Sequence, residues 1–321
     1  MTTENGSGTS RSDFLKQAAG ATLAVAGAGV GAGAIASGAE AANGFTSGKF
    51  SLELDGVNCG AIAGVTGGDL DYDVVRDVVV GSDGIQRKHI GQPKYEDFTI
   101  QIGSNMSEGF YSWIQDSWDK KYVRKNGAII AADFNYKEKA RREFTDALIT
   151  EVTIPALDTF LPSGVPVRGT ISVKFSAASV ADVPGSGAPV IAAKHKAWLC
   201  SNFRLIVQGV DTTRVASIDS FTWKQSVQAD GSVVLDAGDI GVSFPPASMP
   251  SWRRWYNNFA VGGDATDERN GTLELVGQDG TVLDISLFNL GLYRLDPNAG
   301  AGIKRVKAEL YIERLLPTVN K

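Results

Sequence analysis

From about residue 45 onward, most of the chain consists of short runs in which apolar and polar residues alternate. Residues 49–57, KFSLELDGV, place Phe50, Leu52 and Leu54 on one face of an extended chain and polar side chains on the other. Similar strand-like runs occupy residues 69–80, 95–103, 127–134, 144–154 and 169–175. The pattern predicts a mainly β fold built from half-buried strands.

One segment in each half has the spacing of an amphipathic helix instead. In residues 105–118, Asn105 and Glu108 have the spacing of a capping box, and in residues 248–259 Ser248 stands where a helix cap is expected. Apolar side chains recur every three or four positions in both segments. The predicted core-facing residues are Phe110, Trp113 and Ile114 in the first helix, and Trp252, Tyr256 and Phe259 in the second.

The second half of the chain repeats the first. FSLELDGV at 50–57 returns 153 positions later as FRLIVQGV at 203–210. The pair Asn126-Gly127 returns 144 positions later as Asn270-Gly271, and each pair is expected to form a tight hairpin turn. At the same spacing of 144, Phe144 and Leu148 match Phe288 and Leu292. These matches indicate two tandem β-rich domains, each with one helix.

The domain organisation follows from this repeat and from changes in composition. Residues 48–180 are interpreted as the first domain and residues 198–321 as the second. Residues 181–197 are rich in Pro, Gly and Ala and are interpreted as a linker. Residues 1–47 differ from the rest and are interpreted as a signal-like or flexible segment.

The N-terminal segment resembles a twin-arginine export signal. Residues 10–16, SRSDFLK, follow that motif except that Ser12 stands in place of the second arginine. A Gly/Ala-rich apolar stretch follows, and Ala39-Glu40-Ala41 fits a cleavage site. The segment is therefore either an export signal or a retained arm, which leaves localisation open between the cytoplasm and export. No later run reaches the length needed to span a bilayer, so stable membrane insertion is not expected.

The composition argues against catalytic and metal chemistry. The chain has a net charge of -5, two histidines and two cysteines, and no common catalytic motif. We therefore expect no enzyme activity and no cofactor. Cys59 and Cys200 could be two free buried thiols or one disulfide; the first interpretation is favoured and the choice stays open.

Two groups of charged residues could bear on function. Asp69, Asp71 and Asp73 begin like a calcium loop, but Val74 and Val80 replace the glycine and glutamate that such a loop needs. These carboxylates, with Asp77, are better explained as a solvated face. The arginine pairs 141–142 and 253–254 could stack on nucleic acid, but neutralising nearby carboxylates at a subunit contact is the favoured role.

Three stretches of the first half together resemble the phage tail-tube family, which is shared by contractile phage tails and injection systems. They are FSLELDGV, then KYEDFTIQIG with MSEGFYSWI, then NGAIIAADF with FTDALITEVTIPALD. The resemblance covers residues 45–180 well and 198–317 loosely. It implies two tandem β-sandwich or barrel domains, each flanked by one helix.

The same resemblance implies an assembly. Six tail-tube domains would close into a ring whose inner sheets form one barrel, and the rings would stack into a hollow tube. Because this chain has two domains, three chains would make one pseudo-sixfold ring. Sheath and baseplate proteins would be partners, and DNA or an effector would be the cargo.

The resemblance leaves two placements for Asp69, Asp71, Asp73 and Asp77. They could line the lumen and repel phosphate groups, or lie on a ring-stacking hairpin spanning about 69–95. A different function also stays open: an exported β-sandwich that binds a ligand without forming a tube.

Overall fold

The computed structural model describes residues 49–77, 83–160, 166–190, 198–228, 230–277, 280–299 and 304–319. The N-terminal segment 1–47, with its signal-like motif, lies outside these residues, as do the tip of the hairpin at 78–82 and residues 191–197 of the predicted linker. The described chain is mainly β with two α-helices, which confirms the predicted fold class.

The first half contains twelve strands and one helix within the described residues. They are β1 (Lys49–Leu54), β2 (Val57–Ile62), β3 (Gly64–Thr66), β4 (Leu70–Arg76), β5 (Lys88–Tyr95), β6 (Phe98–Ile102), α1 (Glu108–Trp118), β7 (Lys125–Ala132), β8 (Glu138–Ile154), β9 (Leu157–Asp158), β10 (Arg168–Gly169), β11 (Ile171–Ser176) and β12 (Ser179–Pro184). The predicted linker therefore begins inside a strand, because β12 pairs with β8 as far as Pro184.

The second half contains nine strands and one α-helix within the described residues. They are β13 (Trp198–Leu199), β14 (Phe203–Val207), β15 (Ser217–Ile218), β16 (Phe221–Val227), β17 (Val233–Asp236), β18 (Ile240–Phe244), α2 (Met249–Tyr256), β19 (Arg269–Gly277), β20 (Gly280–Ala299) and β21 (Arg305–Val319). A short π-helix, Asn257–Val261, extends α2.

The main sheets of the two halves have the same strand order. The first sheet runs β2-β1-β7-β8-β11-β6-β3, and the second runs β14-β19-β20-β21-β18-β15-β9. Without the end strands β2 and β9, the six remaining strands correspond one to one, and all their pairings are antiparallel. Residues at equivalent places in the two halves can therefore be compared directly.

In the central strands β8 and β20, the equivalent residues are 143 positions apart. Gly127 pairs with Phe144, and its equivalent Gly271 pairs with Leu287. The expected match of Phe144 with Phe288 is therefore wrong by one residue. The shift arises because the chain between the equivalent pairs Ala132–Glu138 and Val276–Thr281 is one residue shorter in the second half.

The two Asn-Gly pairs do not form hairpin turns, so that prediction is wrong. Asn126 lies inside β7, where its Oδ1 accepts a hydrogen bond from the N–H of Asp146; Asn270 does the same for Asn289. Asp146 and Asn289, whose N–H groups donate these bonds, have positive φ values of 56° and 54°. Each Asn side chain therefore accepts the N–H of a bulge residue in the neighbouring strand.

The glycine that follows Asn126 is required by close packing rather than by a turn. A Cβ added at Gly127 would lie 2.1 Å from the carbonyl oxygen of Glu53 and 2.7 Å from the Phe144 ring. Neither atom belongs to a flexible side-chain end. A side chain at this position would therefore force the paired strands apart.

The helices lie where the spacing predicts them, but their caps and faces differ in detail. Ser107, not Asn105, caps α1 by accepting a hydrogen bond from the N–H of Phe110. The side chain of Ser248 makes no capping hydrogen bond to α2. The predicted core-facing residues Phe110, Trp113, Ile114 and Trp252 are buried, Tyr256 and Phe259 are half-buried, and Trp255, which was not predicted, is fully buried.

The hydrophobic core is continuous across both halves. In the first half, Phe98, Phe144 and Phe175 pack around one another with ring centroids 5.0–5.6 Å apart. In the second half, Phe244 stacks on Trp252 at 4.6 Å. The described chain thus holds two similar sheets on one shared apolar interior.

Candidate functional site

The hairpin of the first half, formed by β4 and β5, is exposed along the whole of β4. Its apolar side chains face solvent: Leu70 is 48% exposed, Val74 is 65% exposed and Ile90 is 72% exposed. Tyr72 and Val75 are exposed as well. A cluster of exposed apolar side chains on one element is typical of a surface that binds another protein.

The acidic residues predicted as a lumen or stacking surface lie on or beside this hairpin. Asp71 and Asp73 are exposed on β4, and Asp73 forms an ion pair with Lys94 of β5. Hydrogen bonding to Asp73 raises the pKa of Lys94. Asp77 follows β4 and lies 3.3 Å from His89. Asp73 is thus partly neutralised within the hairpin.

Asp69, at the base of the hairpin, is linked to a buried arginine. Arg142 of β8 lies 3.2 Å from Asp69 and makes two hydrogen bonds, of 2.6 and 2.9 Å, to Asp182 of β12. Burial lowers the pKa of Arg142, but the hydrogen bonds and charges of Asp182 and Asp69 outweigh this and raise it. The group holds the base of the hairpin against the first sheet.

The neighbouring Arg141 also binds carboxylates of its own chain. It contacts Glu53 at 2.8 Å and Glu138 at 2.9 Å. The pair 141–142 therefore neutralises acids, as favoured from the sequence, but within the first half. Arg253 and Arg254 are exposed on α2.

The second hairpin, β16 with β17, joins the two halves. β16 pairs antiparallel with the last part of β8, so that Trp223 lies opposite Val152 and Lys224 opposite Glu151. A strand of the second half thereby extends the sheet of the first half. We call this contact the β8–β16 joint.

Side-chain contacts support the β8–β16 joint. Trp223 is 2% exposed and packs edge-on against Trp118 of α1, with ring centroids 5.5 Å apart. Gln225 donates a hydrogen bond to the carbonyl oxygen of Ile149. The hydroxyl groups of Thr153 and Thr222 are 2.9 Å apart. The joint therefore combines a strand pairing with a buried aromatic contact.

The sheet that crosses this joint has one apolar and one polar face. Ile100, Val173, Val152 and Trp223 form a buried apolar row across four strands. On the opposite face, Lys174, Glu151 and Lys224 form a row of alternating charge. Such a sheet can bury one face on a core and present the other to water.

The described residues hold no evident catalytic or metal-binding chemistry. No group of three or more His, Cys, Asp or Glu suited to a metal occurs in the described part of the chain. Cys59 and Cys200 are free and buried, and burial raises the pKa of both thiols. No described helix is long and apolar enough to cross a membrane.

The residues of the joint were not identified from the sequence. Trp223 lies in a run, FTWKQSV, that reads as one more alternating strand, and nothing in it indicates which sheet that strand joins. The Arg142–Asp182 contact joins residues 40 positions apart and also carries no local signal. The repeat itself was the only available clue, because β16 and β17 occupy the place of β4 and β5.

Comparison with known proteins finds a family match in the first half. Residues 46–163 match the family model described as T4-like virus tail tube protein gp19. A comparison with curated protein sequences found no match.

The search of solved structures matched chains from injection systems. One is a chain of the sheath-tube complex of an extracellular contractile injection system, PVC, in the extended state: it is 16% identical, with a TM-score of 0.34, over 42% of this chain and 88% of that one. Another is from the tube-terminating cap of the anti-feeding prophage: 14% identical, TM-score 0.34, over 46% of this chain and 96% of that one.

The family match falls on the stretches that carried the resemblance in the sequence, from the first strand through α1 to β9. Residues 46–163, within the first half, therefore match the tail-tube family.

Proposed function

We propose that this chain is a structural subunit of a hollow tail tube, or of a tube-like ring, in a phage tail or contractile injection system. The family match of residues 46–163 carries this proposal. The protein acts by assembling rather than by catalysis. The assembled subunits form a conduit through which DNA or an effector passes.

The two-domain organisation sets the expected stoichiometry. The halves share one strand order, and the β8–β16 joint extends a sheet from one half into the other. Three chains would supply six such units and close a trimeric ring with pseudo-sixfold symmetry. Residues 48–180 and 198–321 would be the two ring units.

The polar face of the joined sheet is the proposed lining of the conduit. Its charged side chains lie in opposite-charge pairs, for example Lys174 with Asp97 at 3.6 Å and with Glu151 at 3.9 Å. A lining of paired charges would not bind a phosphate backbone tightly. Sheath and baseplate proteins are the proposed outer partners.

The proposal is tested by negative-stain electron microscopy of the purified full chain and of a variant lacking residues 1–44, with molar mass measured by light scattering. We expect rings or short tubes with a central hole and the mass of three chains per ring. Dispersed monomers at high concentration in both preparations would contradict the tube proposal. They would instead favour an exported β-sandwich that binds a ligand on its own.

A further inference from the structure

The β8–β16 joint uses one hairpin and one strand edge, and each has an equivalent elsewhere in the same chain. By the strand registers, Ser217 of β15 corresponds to Gly64 of β3, which makes β4–β5 the equivalent of β16–β17. The segment of β20 around Arg294 corresponds to the part of β8 around Glu151. In the single chain the hairpin is exposed along β4, and Tyr293 and Arg294 are exposed on the β20 segment.

Burial shows the difference at matched positions. Trp223, in the joint, is 2% exposed, whereas its equivalent Leu70 is 48% exposed. On the receiving strand, β19 pairs with β20 only as far as Leu290 among the described residues, and the adjacent Tyr293 is 42% exposed. Among the described residues, β4–β5 therefore pairs with no further strand, and β20 beyond Leu290 pairs only with β21.

We propose that the β4–β5 hairpin of one chain pairs with β20 of a second copy, in the register of the β8–β16 joint. This inference rests on the proposed ring, because it specifies the contact between neighbouring chains. Leu70 would lie opposite Leu295, and Asp71 opposite Arg294. We call this contact the β20–β4 joint.

The charges across the two joints support this register. Across the β8–β16 joint, one row runs Asp236, Lys224, Glu151, Lys174, with signs negative, positive, negative, positive. The equivalent row across the proposed joint runs Lys94, Asp71, Arg294, Glu309. Every sign is reversed, so neighbours along the row remain opposite in charge and attract one another.

The apolar positions also agree. The row behind these charges in the β8–β16 joint is Trp223, Val152, Val173 and Ile100. Its proposed equivalent is Leu70, Leu295, Ala308 and Val242. Slipping the register by one residue would turn Leu70 to the polar face, since side chains alternate along a strand.

One position opposes the pairing. The register places Asp69 opposite Asp296, where the β8–β16 joint has Thr222 opposite Thr153. Each acid has a cation beside it: Arg142 lies 3.2 Å from Asp69, and Lys307 lies opposite Asp296 on β21. These cations reduce the repulsion between the two carboxylates.

The partner is proposed to be a second copy because the hairpin and the strand edge it would pair with are different surfaces of the same chain. The hairpin belongs to the first half and the receiving edge to the second, so each added chain leaves one hairpin and one edge for the next. Such a head-to-tail contact closes into a ring or continues as a filament. A ring of three chains would contain three β8–β16 joints and three β20–β4 joints.

The test uses two single-cysteine variants of the full chain, Leu70→Cys and Leu295→Cys, mixed under mild oxidation. Opposite residues on antiparallel strands have Cα atoms about 4.5–5.5 Å apart, within the range that a disulfide needs. We expect a reducible dimer only in the mixture. A mixture of Leu70→Cys with Tyr293→Cys, which lies two residues out of register, should give much less of the reducible dimer.

Charge exchange provides a second readout that needs no cysteine. Asp71→Lys or Arg294→Glu alone should raise the concentration for half-maximal assembly about tenfold or more, and the double variant should restore it. The reversal Arg214→Glu, at an exposed residue outside both joints, is the control and should leave that concentration unchanged.

The outcomes separate this inference from the proposed function. If rings form but the Leu70–Leu295 cross-link does not, and the charge variants leave assembly unchanged, the β20–β4 joint is overturned. The tube proposal would then still stand. A cross-link within Leu70→Cys alone would mean a hairpin-to-hairpin contact and would also overturn it. Absence of both rings and cross-links would contradict both proposals.

Discussion

The two hairpins occupy the same place in the two halves but have different surroundings. β16–β17 is held against β8, whereas β4–β5 is exposed. The difference does not come from the hairpins' apolar content, since Leu70 and Tyr72 stand where Trp223 and Gln225 stand. Within one chain, β16 lies beside the edge of β8, whereas the described residues provide no such strand edge beside β4. Under our proposal, the edge for β4 comes from a second chain.

The largest expected effect is at Trp223, the buried residue of the β8–β16 joint. Trp223→Ala removes a fully packed indole and its contact with Trp118, so we expect the free energy of unfolding to fall by about 4 kcal/mol. The matched variant Leu70→Ala, at an exposed site, should change it by less than about 0.5 kcal/mol. Urea denaturation of dilute protein measures both; equal losses would mean that Leu70 is already buried in one chain.

The next effect concerns the arginine beneath the exposed hairpin. Arg142 and Asp182 occupy the places of Ile285 and Pro317, which are paired in the second half. Arg142→Ile should destabilise the chain by about 3 kcal/mol, because it leaves Asp182 buried without its cation.

Adding Asp182→Val to that variant should recover most of the loss, since the position then resembles the apolar pair of the second half. Thermal and urea unfolding of the single and double variants measure this recovery. A double variant as unstable as Arg142→Ile would show that Arg142 acts mainly through Asp69 at the base of the hairpin.

A smaller and symmetric effect is expected at the two bulges. Asn126→Ala and Asn270→Ala each remove the acceptor for one bulge N–H, and each should cost about 1 kcal/mol. Similar losses, measured by urea denaturation, would indicate that the repeat uses both residues alike. A loss confined to one half would show that the Asn-Gly pairs are not equivalent.

The smallest effect depends on pH. The hydrogen bond from Lys125 lowers the pKa of Asp55, while the equivalent residue in the second half is Gln208. A lowered pKa in the folded state gives stability that is present above about pH 4 and is lost as the pH falls through the folded value. Asp55→Asn should remove this acid dependence, at most about 1 kcal/mol, in unfolding measured from pH 6 to pH 2.

The sequence predicted elements that depend on local spacing. The alternation of β1 and the helical spacing of α1 each arise from a few neighbouring residues, so both could be identified without the structure. The tail-tube resemblance rested on the same first-half stretches and is confirmed by the family match.

Features set by distant contacts were missed or wrong. Asn126-Gly127 has the composition of a hairpin turn, but Gly127 is needed for the close approach of Glu53 and Phe144. The partner of β16 could not be predicted because an alternating strand does not specify its neighbour. Trp255 was not predicted because the buried face of α2 was assumed to pass through Trp252 and Tyr256. The two fully buried residues are instead Trp252 and Trp255, three positions apart.

The central claim is that the chain builds a ring through two kinds of equivalent strand joint. The most direct measurement is a cryo-EM reconstruction of the assembled full-length protein in which individual strands are resolved. The account predicts three chains per ring, with the β4–β5 hairpin of each paired to β20 of its neighbour and Asp71 opposite Arg294. Rings in which β20 pairs with another element, or in which β4–β5 reaches only the adjacent ring, would contradict it.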